Sequence, residues 1–177
     1  RTAPLRAHPW GLTELSIDRD LLAAGRFAIS AASGVMEDGT PFSIPGGTDA
    51  PLPLDLPEGT RNAVVYLALA LHQDGNPEVS AAEAGPEEMR ARFALRSFQA
   101  FDTHSDSTIS AELSVGRLRL RYLLDTAELA GYSRLGLARI IEVQADRRVL
   151  LDDRYVPPCL RVSASPLLGN LTAELVG

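Results

Sequence analysis

Ala63-Val64-Val65-Tyr66-Leu67-Ala68-Leu69-Ala70-Leu71 is the longest apolar stretch in the chain, and the fold is read outward from it. Its nine residues are about half the roughly 20 that a membrane-crossing helix needs. No signal-like start precedes it. A run this short, without a polar face, fits a strand buried on both sides at the centre of a sheet.

Its neighbours should then alternate between dry and wet faces. From Val115 to Asp125 they do: Leu118, Leu120 and Tyr122 oppose Arg117, Arg119 and Arg121, a period of two. Leu135, Leu137 and Arg139 alternate with Gly136 and Ala138 and run into Ile140-Ile141-Glu142-Val143, after which Asp146-Arg147 can turn the chain back into Val149-Leu150-Leu151. Toward the N-terminus, Phe27, Ile29 and Ala31 alternate with Arg26, Ala28 and Ser30, and a second such piece surrounds Phe42 and Ile44. Asp38-Gly39 between them is a hairpin signal, because both residue types tolerate positive φ. Leu15 and Ile17 share one face of a half-buried strand. Asp18 then stands as N-cap to a short helical turn that Gly25 closes. Phe93 and Leu95 share a face that Phe98 does not, and a bulge near Ser97 would reconcile them.

Between these runs lie two long connections. Residues 45–59 carry prolines 45, 51, 53 and 57 with glycines 46, 47 and 59, a density that forbids a regular ladder. Gln73 to Met89 mixes turn dipeptides with acidic residues and has room for one helical turn at Pro86 to Met89. Tyr155-Val156-Pro157-Pro158-Cys159 must be extended. Ser165 caps a helix with Pro166 at its first position and Leu167, Leu168, Leu171 and Leu175 on one stripe. About eight β-patterned runs with one C-terminal helix favour a mainly β fold, an antiparallel sandwich, over alternating βαβ units. Trp10, Leu67, Leu69, Leu118 and Leu120 are expected in or beside its core.

Composition narrows the function classes. With 177 residues, 45% apolar and 23% charged, the chain can bury one substantial core, and one domain is the default. A net charge of −6 argues against nucleic acid or anionic lipid as partner, since both need clustered Lys and Arg. A single cysteine, Cys159, precludes an intrachain disulfide and fits a reducing, cytoplasmic setting. Arg1 is not an initiator Met and the last residues open a helix, so a longer parent chain is expected.

The chemistry-bearing residues form no recognisable constellation. Cys159 follows two prolines, without the helix N-terminus or electropositive neighbours that generate a thiolate, and reads as a buried structural cysteine. His8, His72 and His104 lack metal-ligand spacing. Asp152-Asp153 and Glu87-Glu88 are adjacent pairs that point to opposite faces in a strand. Gly46-Gly47-Thr48 lacks the Lys of a phosphate loop. The Arg117, Arg119, Arg121 stripe reads as a solvated strand face. No catalytic, metal-binding or cofactor-binding residue is assigned, and no cofactor is expected.

Taken together, Pro9-Trp10-Gly11-Leu12, Leu15-Ser16-Ile17-Asp18, Asp38-Gly39-Thr40-Pro41-Phe42, Val65-Tyr66-Leu67-Ala68-Leu69, Leu135-Gly136-Leu137-Ala138-Arg139-Ile140 and Tyr155-Val156-Pro157-Pro158-Cys159-Leu160 resemble, in order, the TssK family of type VI secretion baseplate subunits. Ala70 and Gly136 stand where that family often has proline, and its usual stretch before the Trp-Gly region is absent. The resemblance implies a shoulder-type sandwich like that of phage receptor-binding proteins over residues 1–164, with residues 165–177 beginning a helical neck. It implies a homotrimeric, non-enzymatic adaptor at the cytoplasmic, membrane-associated baseplate. This part would face the wedge subunits TssF and TssG, and regions beyond it would meet the membrane complex. No nucleic acid and no direct membrane insertion are implied.

Long loops of compact domains are functional more often than short ones, so residues 45–59 and Gln73 to Met89 are the expected contact segments, the first the stronger, with Leu52, Leu54 and Leu56 as its apolar anchors. The rival for these leucines is that they cap the open end of the sandwich. From another functional class, a carbohydrate-binding or hydrolase sandwich would need an aromatic platform or converging carboxylates, whereas one Trp and four Tyr are scattered along the chain.

Overall fold

The computed structural model describes residues 9–73, 78–80, 91–101 and 110–176. In chain order the elements are β1 (Gly11–Ile17), α1 (Arg19–Ala23), β2 (Arg26–Phe27), β3 (Ile29–Val35), β4 (Pro41–Ile44), β5 (Leu54–Asp55), β6 (Arg61–Ala70), β7 (Val79–Ser80), β8 (Phe93–Phe101), β9 (Ser110–Leu118), β10 (Arg121–Leu124), β11 (Tyr132–Val143), β12 (Val149–Leu151) and α2 (Pro166–Val176), with a 3-10 turn at Val162–Ala164. They fall into two compact units, divided after Leu71 and before Leu120.

The first unit holds two larger antiparallel sheets, ordered β1-β3-β4 and β10-β6-β11-β12, and the two-stranded antiparallel sheet β2-β5. The apolar run is the interior strand β6, with Leu67 between Tyr122 on one side and Leu135 on the other. Val64 and Tyr66 are half-buried, but from Leu67 to Ala70 every residue is buried, as two covered faces require. The sheets meet through specific contacts. Tyr122 packs edge-on against Phe27 with centroids 5.4 Å apart, and its hydroxyl accepts the Ile29 N–H at 3.0 Å. Burial pushes the Tyr122 phenol up to about 12, against the opposite pull of that N–H. Leu12, Phe27, Ala32 and Met36 from one side and Val65, Leu67, Leu135 and Ile140 from the other close the core. The fold is the antiparallel sandwich expected.

Local signals hold at the turns. Asp18 accepts the Asp20 and Leu21 N–H groups at 3.0 Å each, and Gly25 adopts φ +78° beyond the helix. The β3–β4 hairpin turns at Glu37-Asp38-Gly39, but only Gly39 takes positive φ, with Asp38 instead accepting the Thr40 N–H through its side chain. β11 returns into β12 through Gln144–Arg148, with Arg147 at φ 67°. Residues 155–158 lie in no helix or strand, Cys159 bridges Leu12 in parallel, and Leu160 donates to the Leu12 carbonyl at 2.7 Å.

Four expectations are corrected. Val115 to Asp125 is not one strand: β9 ends at Leu118, β10 begins at Arg121, and the break is where the chain passes between units. Alternation survives the break, so the pattern could not reveal it. Leu120 and Tyr122 are buried, whereas Leu118 and Trp10 are half-buried. Second, the β1–β3 register slips between Ser16 and Ile17, so Ile29 and Ala32 are buried and Ala31 is not. The slip leaves Ser30 bulged, with its hydroxyl bonded to Ser16 Oγ at 2.9 Å. Third, no bulge occurs near Ser97. The β8–β9 ladder runs unbroken from Phe93 opposite Leu118 to Phe101 opposite Ser110. Leu95 and Phe98, on opposite faces, are 44% and 49% exposed, so no single buried face demands a shift. Fourth, the proline-dense connection does hold a short ladder, β5 pairing with β2. Most of the 73–89 connection, including the proposed helical turn, lies outside the described residues.

Candidate functional site

Among the described residues no group of three or more His, Cys, Asp or Glu could hold a metal ion. His72 pairs with Glu78 at 2.5 Å on the surface, both side chains more than half exposed. Asp152 accepts the Arg154 N–H at 2.9 Å and sits 4.0 Å from Arg139, while Asp153 is exposed beside it. His8, His104 and Glu87-Glu88 lie outside the described residues. Three tyrosine rings are covered by guanidinium groups, Arg134 over Tyr66 at 5.6 Å, Arg121 over Tyr132 at 5.3 Å and Arg139 over Tyr155 at 5.7 Å. The fourth, Tyr122, is buried. None is an open platform on which a sugar ring could stack.

Cys159 is half-buried rather than buried, because it lies on the segment that crosses the edge of β1, bridged to Leu12, instead of inside the sandwich. It occupies extended backbone, not a helix N-terminus. The Cys159→Ser protein should therefore melt and bind partners like the parent, and the native thiol should react with a thiol reagent no faster than a free cysteine at the same pH. Accelerated labelling would refute this reading.

The three leucines of the proline-dense connection part company. Leu52 is 87% exposed, Leu54 is half-buried in β5, and Leu56 is 1% exposed. Leu56 is thus a core residue and does not offer a contact surface: its N–H donates to the Gly25 carbonyl at 3.0 Å, which draws its side chain under the loop. The burial of Leu56 fits the capping reading, and of the three only Leu52 stands exposed on the loop.

Surfaces that sequence reasoning missed come from tertiary structure. A groove of about 620 Å³ opens beside β1, lined by Leu15 and Ile17, by Leu137 and Leu151 of the other sheet and by Leu167 of α2. On the helix, Leu168 is half-buried but Leu171 and Leu175 are 47% and 85% exposed. In the second unit, Phe98, Leu113 and Val115 share one face of the β8–β9 ribbon and all are exposed. The half-burial of alternate residues in β1 was the only hint of a groove in the sequence.

Fold and surface define a class: a mainly β antiparallel sandwich bearing an apolar groove, an exposed loop leucine and an apolar helix stripe. Within it, a family model described as "Bacterial Type VI secretion, VC_A0110, EvfL, ImpJ, VasE" matches residues 1–177, and the chain belongs to that family. The type VI secretion system baseplate component TssK1 of Pseudomonas aeruginosa is 36% identical over 177 residues, which are 100% of this chain and 39% of the relative. A crystal structure of TssK matches with a TM-score of 0.89 at 35% identity, over 97% of this chain and 38% of that one. A cryo-electron microscopy structure of the TssK–TssF–TssG baseplate subcomplex matches at 0.78 and 25% identity, over 97% of this chain and 56% of that one. The chain spans about two fifths of the curated relative it matches. No helix among the described residues is long and apolar enough to cross a membrane.

Proposed function

We propose that this chain is the wedge-facing, non-catalytic part of a type VI secretion baseplate adaptor, binding the wedge subunits TssF and TssG. The observation that carries the reading is its whole-length likeness to TssK, a protein whose structure is known in a subcomplex with TssF and TssG. The surface supports it, with apolar groups presented on a loop, a groove and a ribbon, and tyrosine rings capped by arginine. Residues 1–164 serve as the shoulder. Residues 165–177 begin the neck, where the Leu168, Leu171 and Leu175 stripe suits a helix that associates with others. The full-length protein works as a cytoplasmic homotrimer and reaches the membrane complex through regions outside this chain.

Within the proline-dense connection the contact falls to Leu52, supported by half-buried Leu54, with Leu56 as the buried root. Its prolines limit the entropy lost when the loop orders on a partner. Leu52→Ser should weaken binding to a purified TssF–TssG complex about tenfold, or ~1.4 kcal/mol, with the melting temperature unchanged. Titration by biolayer interferometry alongside a thermal melt checks both. Parental affinity in the variant removes Leu52 from the interface, and no binding by the wild-type chain refutes the functional reading.

A further inference from the structure

We infer that the outer edge of β1 from Thr13 to Ile17, with the groove beside it, takes an extended peptide segment of a partner chain by strand addition. β1 is an edge strand of its sheet. At Leu12 the chain already fills that edge itself. The Leu12 N–H donates to the Pro158 carbonyl at 2.9 Å, and the Leu12 carbonyl accepts the Leu160 N–H at 2.7 Å, a parallel bridge at Cys159. Past Leu160 the chain leaves for the 3-10 turn and α2. Beyond Leu12, the outer side of β1 receives no further backbone bond from described residues. Among the described residues the edge is therefore bonded at one residue only, and unpaired edge groups are a template for another chain.

The groove of about 620 Å³ lies along the unused part. Leu15 and Ile17 of β1, Leu137 of β11, Leu151 of β12, Pro157 and Leu167 line it. An added strand sends every second side chain to the same face, which here opens on apolar walls. Three charged residues of both signs border the same groove, Arg19, Asp152 and Asp153, with Asp152 lying 4.0 Å from Arg139. Arg19 and Asp153 have no ion-pair partner among the described residues. Backbone donors and acceptors, apolar walls and both signs of charge together match a peptide carrying acidic and basic residues. A polyanion or an acyl chain would satisfy only one of the three. The occupant is an extended, alternating apolar segment of the TssF–TssG wedge, an assignment that rests on the functional reading above.

Hydrogen exchange on the full chain, with and without purified TssF–TssG from the same bacterium, tests the inference. Amides of Thr13 to Ile17 that face outward should exchange at least tenfold more slowly in the complex, while those of interior β6 stay as they were. Side-chain docking alone would not produce that protection. As a second measurement, Leu167→Asp places a charge in the groove lining and should weaken wedge binding about tenfold with folding checked by circular dichroism. If the wild-type chain binds the wedge but residues 13–17 exchange unchanged, or if folded Leu167→Asp binds like the parent, strand addition is wrong and the wedge-facing role stands. No binding at all by the wild-type chain overturns both.

Discussion

Leu67→Ala should destabilise the protein by about 2–5 kcal/mol, lowering its melting temperature by roughly 5–15 °C for a chain of this size. Leu67 is fully buried and sits mid-strand in β6, with Tyr122 and Leu135 as its partners on either side. Both neighbouring strands are held in register, and Tyr122 is further fixed by Phe27 and the Ile29 N–H. The surroundings therefore cannot collapse into the vacated space, and the cavity adds to the lost transfer energy. Thermal and denaturant melts of the variant and parent measure the difference. A variant melting within a degree of the parent would show that β6 is not the centre of the core.

Gly34→Ala is expected to be the most damaging change among the glycines, for a reason unconnected with φ. A Cβ on Gly34 would collide with the carbonyl oxygen of Gly11 and lie 3.0 Å from Cα of Leu12. Those atoms belong to the backbone of β1, directly across the ladder from Gly34. A side-chain tip could swing aside, but this backbone is pinned from its other edge by the bonds between Leu12 and residues 158 and 160. Relief then requires β1 to move off β3, and overpacking of that kind costs about 1–3 kcal/mol or more. Gly136→Ala offers the contrast. There the added Cβ meets the hydroxyl of Tyr155, the far end of a side chain that can rotate away. Chemical denaturation of the two variants should show the larger loss at Gly34, and equal losses would contradict this account.

Much of the fold was legible because it rests on short-range physics. The apolar run at 63–71 has no wet face to offer, so it could only be interior, and β6 is interior. Asp18 and Gly39 act through their own side chain or φ within a few residues, so their turns follow from composition. The proline pair at 157–158 keeps the crossing out of a helix for the same reason, and it bridges β1 at Cys159. The order of motifs from Trp10 to Leu160 was enough to indicate the family that the whole-length comparison establishes.

Other features depended on which strands pair and where a register slips, and no local pattern encodes that. Alternation at 115–125 continues smoothly across a break between two units. The phase of burial in β3 is set by the bulge at Ser30, a property of the β1 partner as much as of β3. Leu52, Leu54 and Leu56 look equivalent in the sequence, yet one hydrogen bond from Leu56 to Gly25 and the pairing of β5 with β2 divide them into an exposed, a half-buried and a buried side chain. The groove is the extreme case, because its walls come from residues 15–17, 137, 151 and 167. Hydrophobic period and turn chemistry are read over a few neighbouring residues, so the sequence alone determined an antiparallel sandwich with its central strand and turns. A surface assembled from segments over a hundred residues apart exists only once the sheets have packed, and so the groove and the exposed apolar groups were decided by the tertiary structure.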